Sequence, residues 1–197
     1  MLYNFCRRLA RLVFFFCRWE IEGLENLPCE GPVIVASNHI SNWDPILVGA
    51  ALNRPVHFMA KEEIFRFPIA RRFLSRCHAF PVKRHKADRQ AIRKALEILG
   101  EGKLVGIFPE GSRSKTGELM KPHAGIAMLA LKGQAQVVPV ACIGTDRWFP
   151  CGWRKPLVIK IGEPVQYVEY YERRLSAQVL EQVSQDIMNK IQGLLSC

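Results

Sequence analysis

A chain of 197 residues, 49% of them hydrophobic, buries one sizeable core without help from disulfides or a structural metal. Its formal net charge of +10 points to an anionic partner. Seven cysteines, at 6, 17, 29, 77, 142, 151 and 197, are odd in number and include no Cys-x-x-Cys pair, which excludes a fully paired disulfide framework and fits a reducing cytoplasm. His78, His85 and His123 show no metal-ligand spacing with those cysteines, so no metal is expected.

The chain opens on a helical pattern. At about 100° per residue, Leu2, Phe5, Leu9, Leu12, Val13 and Phe16 fall in one sector of roughly 100°, and Arg7, Arg11 and Arg18 fall within about 40° of one another on the opposite side. Such a helix lies in a membrane interface. It does not span the membrane, because Arg7, Arg8 and Arg11 interrupt a stretch that would need about 20 apolar residues. The same arginines break a signal-peptide core and no small-residue cleavage site follows, so residues 1–19 are expected to stay on the protein as an amphipathic membrane-interface helix. The competing reading is a helix packed on the domain's own core. Phe14 and Phe15, which flank the arginine stripe, favour partial immersion with the arginines reaching lipid phosphate.

From residue 20 onward, apolar runs alternate with helical periods. Strands are predicted at 33–37, 56–60, 78–82, 104–108, 136–142 and 157–161, and helices at 45–51, 69–75, 87–100 and 122–132. Leu175, Val179, Val183, Ile187 and Ile191 recur every fourth residue and predict a long C-terminal helix that caps the sheet. The result is an α/β fold, a single mixed sheet surrounded by helices. No internal repeat, low-complexity tract or linker divides residues 20–197.

His39 and Asp44 are the first pair with chemical potential. Residues five apart on one regular helix point about 140° away from each other and do not meet. Here a buried strand ends near Ser37, and Asp44-Pro45 reads as a helix N-cap followed by proline at the first helical position. The intervening Ile40-Ser41-Asn42-Trp43 is then a loop that folds the carboxylate back onto the imidazole. A helix N-terminus keeps that carboxylate ionised, so it accepts one ring N–H and leaves the other nitrogen as a base. His57 and Glu62 have the same spacing, but His57 sits inside an apparent strand and reads as structural.

The segment from Arg54 to Lys94 holds twelve Lys or Arg against Glu62, Glu63 and Asp88, a net +9 that is nearly the whole excess of the chain. A solvated helix face over Ile92, Leu96 and Leu99 accounts for part of it. Membrane phospholipid, a phosphorylated substrate and the phosphates of coenzyme A all suit the remainder. Nucleic acid suits the same charge, but no zinc-finger spacing, aromatic RNP-like run or helix-turn-helix accompanies it, so no nucleic-acid partner is expected.

The apolar run ending at Phe108 stops at Pro109-Glu110-Gly111-Ser112-Arg113-Ser114, a tight turn at a strand end where ligands collect in α/β proteins. Glu110 is suited to accept a substrate hydroxyl, and Arg113 to grip a phosphate through two parallel hydrogen bonds. An ordinary surface Glu–Arg pair is the bland alternative. A covalent serine hydrolase at Ser112 or Ser114 fits poorly, because the second glycine of the nucleophile elbow is missing and Arg113 intrudes. Further on, Trp148-Phe149-Pro150-Cys151-Gly152-Trp153 reads equally as a second membrane contact or a packed corner.

Asn38-His39 with Asp44, followed by Phe-Pro-Glu-Gly-Ser-Arg-Ser at 108–114, resembles the glycerolipid acyltransferase family, in particular its bacterial 1-acylglycerol-3-phosphate acyltransferases. Two further blocks agree in order and distance, Phe80-Pro81-Val82-Lys83-Arg84 and Val137-Val138-Pro139-Val140-Ala141, so the likeness runs from about Trp19 to Glu163. Ser112 stands where many members carry threonine, and both are hydroxyls. The resemblance implies a glycerol-3-phosphate acyltransferase-like fold for 20–197 and transfer of an acyl group from acyl-CoA or acyl carrier protein, with no cofactor. The acceptor it implies is the free hydroxyl of 1-acylglycerol 3-phosphate, and the product phosphatidic acid.

In that reading His39 is the general base and Asp44 its orienting carboxylate. Lys61, Arg84 and Arg113 hold the acceptor's phosphate, Glu110 meets its glycerol, and Gly111 and Ser112 complete the binding turn. The expected location is the cytoplasmic face of the cell membrane, peripheral or monotopic, against an anionic surface. Other lysophospholipids or glycerol 3-phosphate as acceptors, and a noncatalytic anionic-lipid-binding module, are the alternatives.

Overall fold

Five consecutive buried residues, Val33–Ser37, form the strand around which the fold is organised. Buried on both faces, such a strand reads as an unbroken apolar run, as strands of parallel sheets do. The computed structural model describes residues 1–83, 88–147, 156–171 and 173–196. In chain order the elements are α1 (Leu2–Phe16), β1 (Glu20–Glu22), β2 (Val33–Ser37), α2 (Asp44–Ala51), β3 (Val56–Lys61), α3 (Glu62–Phe65) and α4 (Pro68–Arg76). There follow β4 (Phe80–Val82), α5 (Arg89–Gly100), β5 (Leu104–Ile107), α6 (Gly125–Lys132), β6 (Gln136–Ile143), β7 (Val158–Ile161) and α7 (Ala177–Ser196).

The seven strands form one mixed sheet in the order β1-β7-β6-β2-β5-β3-β4. β2 pairs in parallel with β5 on one side and β6 on the other, and β3 and β4 continue the parallel half. β7 runs antiparallel to β6, which makes the sheet mixed. The chain steps from β2 over a vacant place to β3 and outward to β4, then returns to fill that place with β5. Right-handed crossovers therefore put α2 and α4 on one face and α5 on the other. The two faces bury separate cores. Ile34, Ala36 and Val105 meet α5, α6 and α7 on one side, while Val33 and Val35 meet α2 and Phe14 of α1 on the other.

The departures from expectation have local causes. The predicted strand at 78–82 begins only at Phe80, because His78 is in the left-handed region at φ 63° and the Ala79 N–H bonds the Leu74 carbonyl to close α4. β1 was not legible: Glu20-Ile21-Glu22 is three residues long and charged at two of them, and it is a strand because β7 pairs with it. The single turn of α3 was missed for the same reason of length.

The first helix differs in one respect that matters later. Two of its arginines do not reach outward as expected: Arg11 donates to the Ala50 and Ala51 carbonyls at 2.7 and 3.4 Å, and Arg7 to the Asn53 carbonyl at 3.3 Å, whereas Arg8 and Arg18 are exposed. These lie at the C-terminal end of α2, where carbonyls lack helical partners and cations are favoured. Phe14, beside that stripe, is buried. Phe5, Leu9, Leu12 and Phe16 consequently face away from the protein. Among the described residues no helix is long and apolar enough to cross a membrane.

Candidate active site

The C-terminal ends of β2, β5, β3 and β4 share one edge of the sheet, and the parallel half places the candidate residues there. Just past β2, Asn38 extends the strand ladder with its side chain. Its Oδ1 accepts the Cys142 N–H at 2.7 Å and its Nδ2 donates to the Cys142 carbonyl at 3.0 Å. The next residue, His39, is thereby fixed at the sheet edge and is only 8% exposed.

Asp44 is the first residue of α2, with Trp43 at the N-cap and Pro45 in the first turn, one residue from the expected frame. Its Oδ2 lies 2.8 Å from His39 Nδ1. The same oxygen accepts the N–H groups of Ile40 and Ser41 at 2.8 and 2.7 Å, so the loop between the pair is wrapped around the carboxylate. Oδ1 accepts the Thr145 hydroxyl at 2.5 Å. The side chain is 0% exposed, a burial that an ionised carboxylate tolerates only when its oxygens are satisfied in this way. An acceptor-only carboxylate on Nδ1 requires the proton there and leaves Nε2 as the basic nitrogen.

The turn after β5 is tied directly to this pair. The Phe108 ring stacks on the His39 imidazole with centroids 4.1 Å apart, and Phe58 stacks on Phe108 at 5.9 Å. Gly106 makes room for that stack, since a Cβ there would come within 2.3 Å of the Phe58 ring. Glu110 is turned inward, only 3% exposed: Oε1 accepts the His39 N–H and Oε2 the Met120 N–H, each at 3.0 Å. Burial pushes its carboxyl above the usual range, and the two backbone N–H bonds pull the other way. The Ser114 N–H bonds the His39 carbonyl at 2.8 Å, so both backbone groups of His39 are fastened to the 108–114 turn.

Gly111 lies at φ 69°, and a Cβ there would meet the His123 ring at 2.7 Å; both features demand glycine. Ser112 beside it is half-buried, and Arg113 is exposed. Lys61 ends β3 and pairs with Glu63 at 3.4 Å. Arg84 lies outside the described residues, as does the 148–153 loop. The structure thus joins His39, Asp44 and Glu110 by direct bonds and sets Lys61, Gly111, Ser112 and Arg113 along the same edge.

Thr145 and Phe108 carry parts that sequence reasoning did not assign. The sequence shows Phe108 as a strand end and as the first residue of the 108–114 motif, with no part given to its ring, and Thr145 lies 101 residues from the carboxylate it bonds, a separation that no local pattern reports. His57, at the opposite end of its strand from this edge, bonds the Leu104 carbonyl and His78 instead.

An imidazole held by a buried carboxylate at the strand ends of an α/β sheet is equipped to draw a proton from an acceptor, chemistry that suits a group-transfer enzyme. The chain belongs to the acyltransferase family, whose model matches residues 18–143. It is 31% identical over 202 residues to the 1-acyl-sn-glycerol-3-phosphate acyltransferase of Bacillus subtilis, covering 98% of this chain and 100% of that one. The chloroplastic 1-acyl-sn-glycerol-3-phosphate acyltransferase of Arabidopsis thaliana is 36% identical over 143 residues, 71% of this chain and 40% of that longer protein. Among solved structures, the 1-acyl-sn-glycerophosphate (LPA) acyltransferase PlsC of Thermotoga maritima superposes with a TM-score of 0.76 at 27% identity, covering 98% of this chain and 78% of that one.

Proposed function

We propose that the protein transfers a fatty acyl group from an acyl thioester to the free hydroxyl of 1-acylglycerol 3-phosphate, making phosphatidic acid. The observation that carries the chemistry is the 2.8 Å contact between His39 Nδ1 and a fully buried, fully bonded Asp44. Nε2 takes the proton of the acceptor hydroxyl as that oxygen attacks the thioester carbonyl. Collapse of the tetrahedral intermediate breaks the C–S bond, and the imidazolium returns its proton to the departing thiolate. The acceptor supplies the nucleophile, so the arrangement is a triad with substrate in the serine's place.

Arg113, exposed at the turn beside His39, Lys61 at the end of β3 and Arg84 beyond β4 are the cations assigned to the acceptor's phosphate. Glu110 is assigned to the acceptor's glycerol, since one backbone N–H on each oxygen leaves lone pairs for a hydroxyl, and those two bonds also position His39. Gly111 and Ser112 shape the turn. Acyl-CoA and acyl carrier protein are both suitable donors, since the chemistry at His39 uses only the thioester. The outward apolar face of α1 is assigned to a membrane interface on the cytoplasmic side, with residues 1–19 as the seating helix of an acyltransferase domain at 20–197.

The decisive measurement is acyl transfer by purified full-length protein in neutral detergent micelles. 1-Acylglycerol 3-phosphate, another lysophospholipid and glycerol 3-phosphate are offered in competition, against each donor. His39→Ala is expected to lower kcat by about 10² to 10⁴, the usual worth of a general base. Wild-type turnover by that variant would remove His39 from the mechanism, and preference for another acceptor would replace the substrate.

A further inference from the structure

The large exposed hydrophobic side chains of the described residues are not scattered. Apart from Met1 and Val168, they lie on α1, at the start of α2, or between Ile64 and Phe73. We propose that the α3–α4 segment is a second membrane-seating element, that its occupant is an anionic phospholipid surface, and that it acts beside α1. The proposal rests on the membrane reading of α1.

Four observations carry it. First, α4 buries none of its nine residues, and Ile69 is 87% exposed, with Phe67, Phe73 and Ile64 exposed around it. A helix so short gains nothing from water on its apolar side and needs an apolar surface to lie against. Second, the exposed apolar residues are interleaved with cations. At about 100° per residue Ile69 and Phe73 lie within about 40° of each other, and Arg72 and Arg76 lie beside them, with Arg66 and Arg71 also exposed. A bilayer interface takes exposed apolar side chains and guanidinium groups together, the former at the acyl boundary and the latter on phosphate.

Third, the patch is continuous with α1. The Tyr3 ring stands edge-on to His78 at 4.8 Å, so the first turn of α1 abuts the end of α4. Both helices lie on the α2 face of the sheet. Fourth, α3 begins at once after Lys61, on the edge that carries His39. The segment therefore leads from the catalytic edge to α1, along the path by which a lipid acceptor would leave the bilayer.

The test is co-sedimentation of the full-length protein with vesicles of phosphatidylcholine containing phosphatidylglycerol, and with phosphatidylcholine alone. Ile69→Ser/Phe73→Ser alters two exposed side chains, so its melting temperature is expected to match the wild type. Its affinity for mixed vesicles is expected to fall at least about tenfold, while turnover in neutral detergent micelles is unchanged. Arg71→Gln/Arg72→Gln is expected to weaken binding to mixed vesicles and to spare the phosphatidylcholine control. Wild-type vesicle affinity in Ile69→Ser/Phe73→Ser overturns the proposal. So does the finding that this variant only splits a dimer, which would make the patch a contact between copies. Phe5→Ser/Leu9→Ser separates the two readings: if it alone loses vesicles, α1 seats the protein and α4 does not; if neither variant loses them, the membrane reading of α1 fails as well.

Discussion

At the scale of single residues, the His39–Asp44 pair is held by Thr145 as much as by its own loop. Among the described residues its hydroxyl supplies the one hydrogen bond on Asp44 Oδ1, while Oδ2 serves His39, Ile40 and Ser41. Thr145→Val keeps the shape and removes the donor, which leaves one oxygen of a buried carboxylate unpaired at a cost of about 1–3 kcal/mol. The carboxylate is then free to turn, and loss of alignment in a catalytic pair costs up to about 10² in rate. We expect Thr145→Val to lower kcat by about ten- to a hundredfold with little change in KM, and Thr145→Ser to restore most of it. Wild-type kcat in Thr145→Val, measured beside its melting temperature, would limit the residue to stability. The His39–Asp44 contact itself was legible, because proline after Asp44 marks a helix start and the short loop brings the two together. Thr145 was not, because sequence separation hides a contact made only by the sheet. Glu110 shows the intermediate case: its place in the turn was readable, but its direction was not, since inward and outward rotations leave the same sequence.

Among the secondary-structure elements, α1 is fastened at the corner where it meets α4. His57 Nδ1–H donates to the Leu104 carbonyl at 3.1 Å, so its Nε2 accepts from His78 Nδ1–H, also at 3.1 Å, and the Tyr3 ring closes over His78. Tyr3 in turn accepts the Val56 N–H through its hydroxyl at 3.1 Å. A second proton on His57 would sit on Nε2 and face the His78 N–H, a clash of two donors. Burial lowers the pKa of both rings from the ordinary value of 6.5, with Lys103 adding to the effect and Glu101 opposing it at His57. In the folded state both histidines therefore hold their protons less tightly than in the unfolded chain. Stability is complete above about pH 6.5 and is lost as pH falls through the folded-state values. The melting temperature is expected to drop from about pH 8 to about pH 5, and His57→Gln to flatten that drop. Equal slopes for wild type and variant would clear the pair of any part in it. The strand carrying His57 was readable from its apolar run, whereas the turn at His78 was not, because a left-handed backbone at a histidine leaves no mark in composition.

For the molecule as a whole, the alternation of apolar runs and helical periods specified an α/β sheet, and the sheet is there. Its strand order was beyond reach, because β5 enters between β2 and β3 only after the chain has passed both. That order puts β3 and β4 at one end of the sheet, with α4 on one face and α5 on the other, so the described cations of the stretch 54–94 gather around that end of the fold. Each Lys or Arg near an anionic bilayer contributes about 1 kcal/mol, within a screening length of about 8 Å at physiological salt. If this field gathers the protein on the membrane, initial rates on lysophosphatidate in phosphatidylglycerol-containing vesicles should fall steeply as salt rises from about 0.05 M to about 0.5 M. Rates in neutral detergent micelles should change little, because there the acceptor's phosphate meets only a few cations at short range. A parallel fall in both assays would assign the salt dependence to the headgroup contacts of Lys61, Arg84 and Arg113. A fall in vesicles alone that follows the loss of bound protein, with KM in micelles constant, assigns it to the basic end of the sheet as a whole.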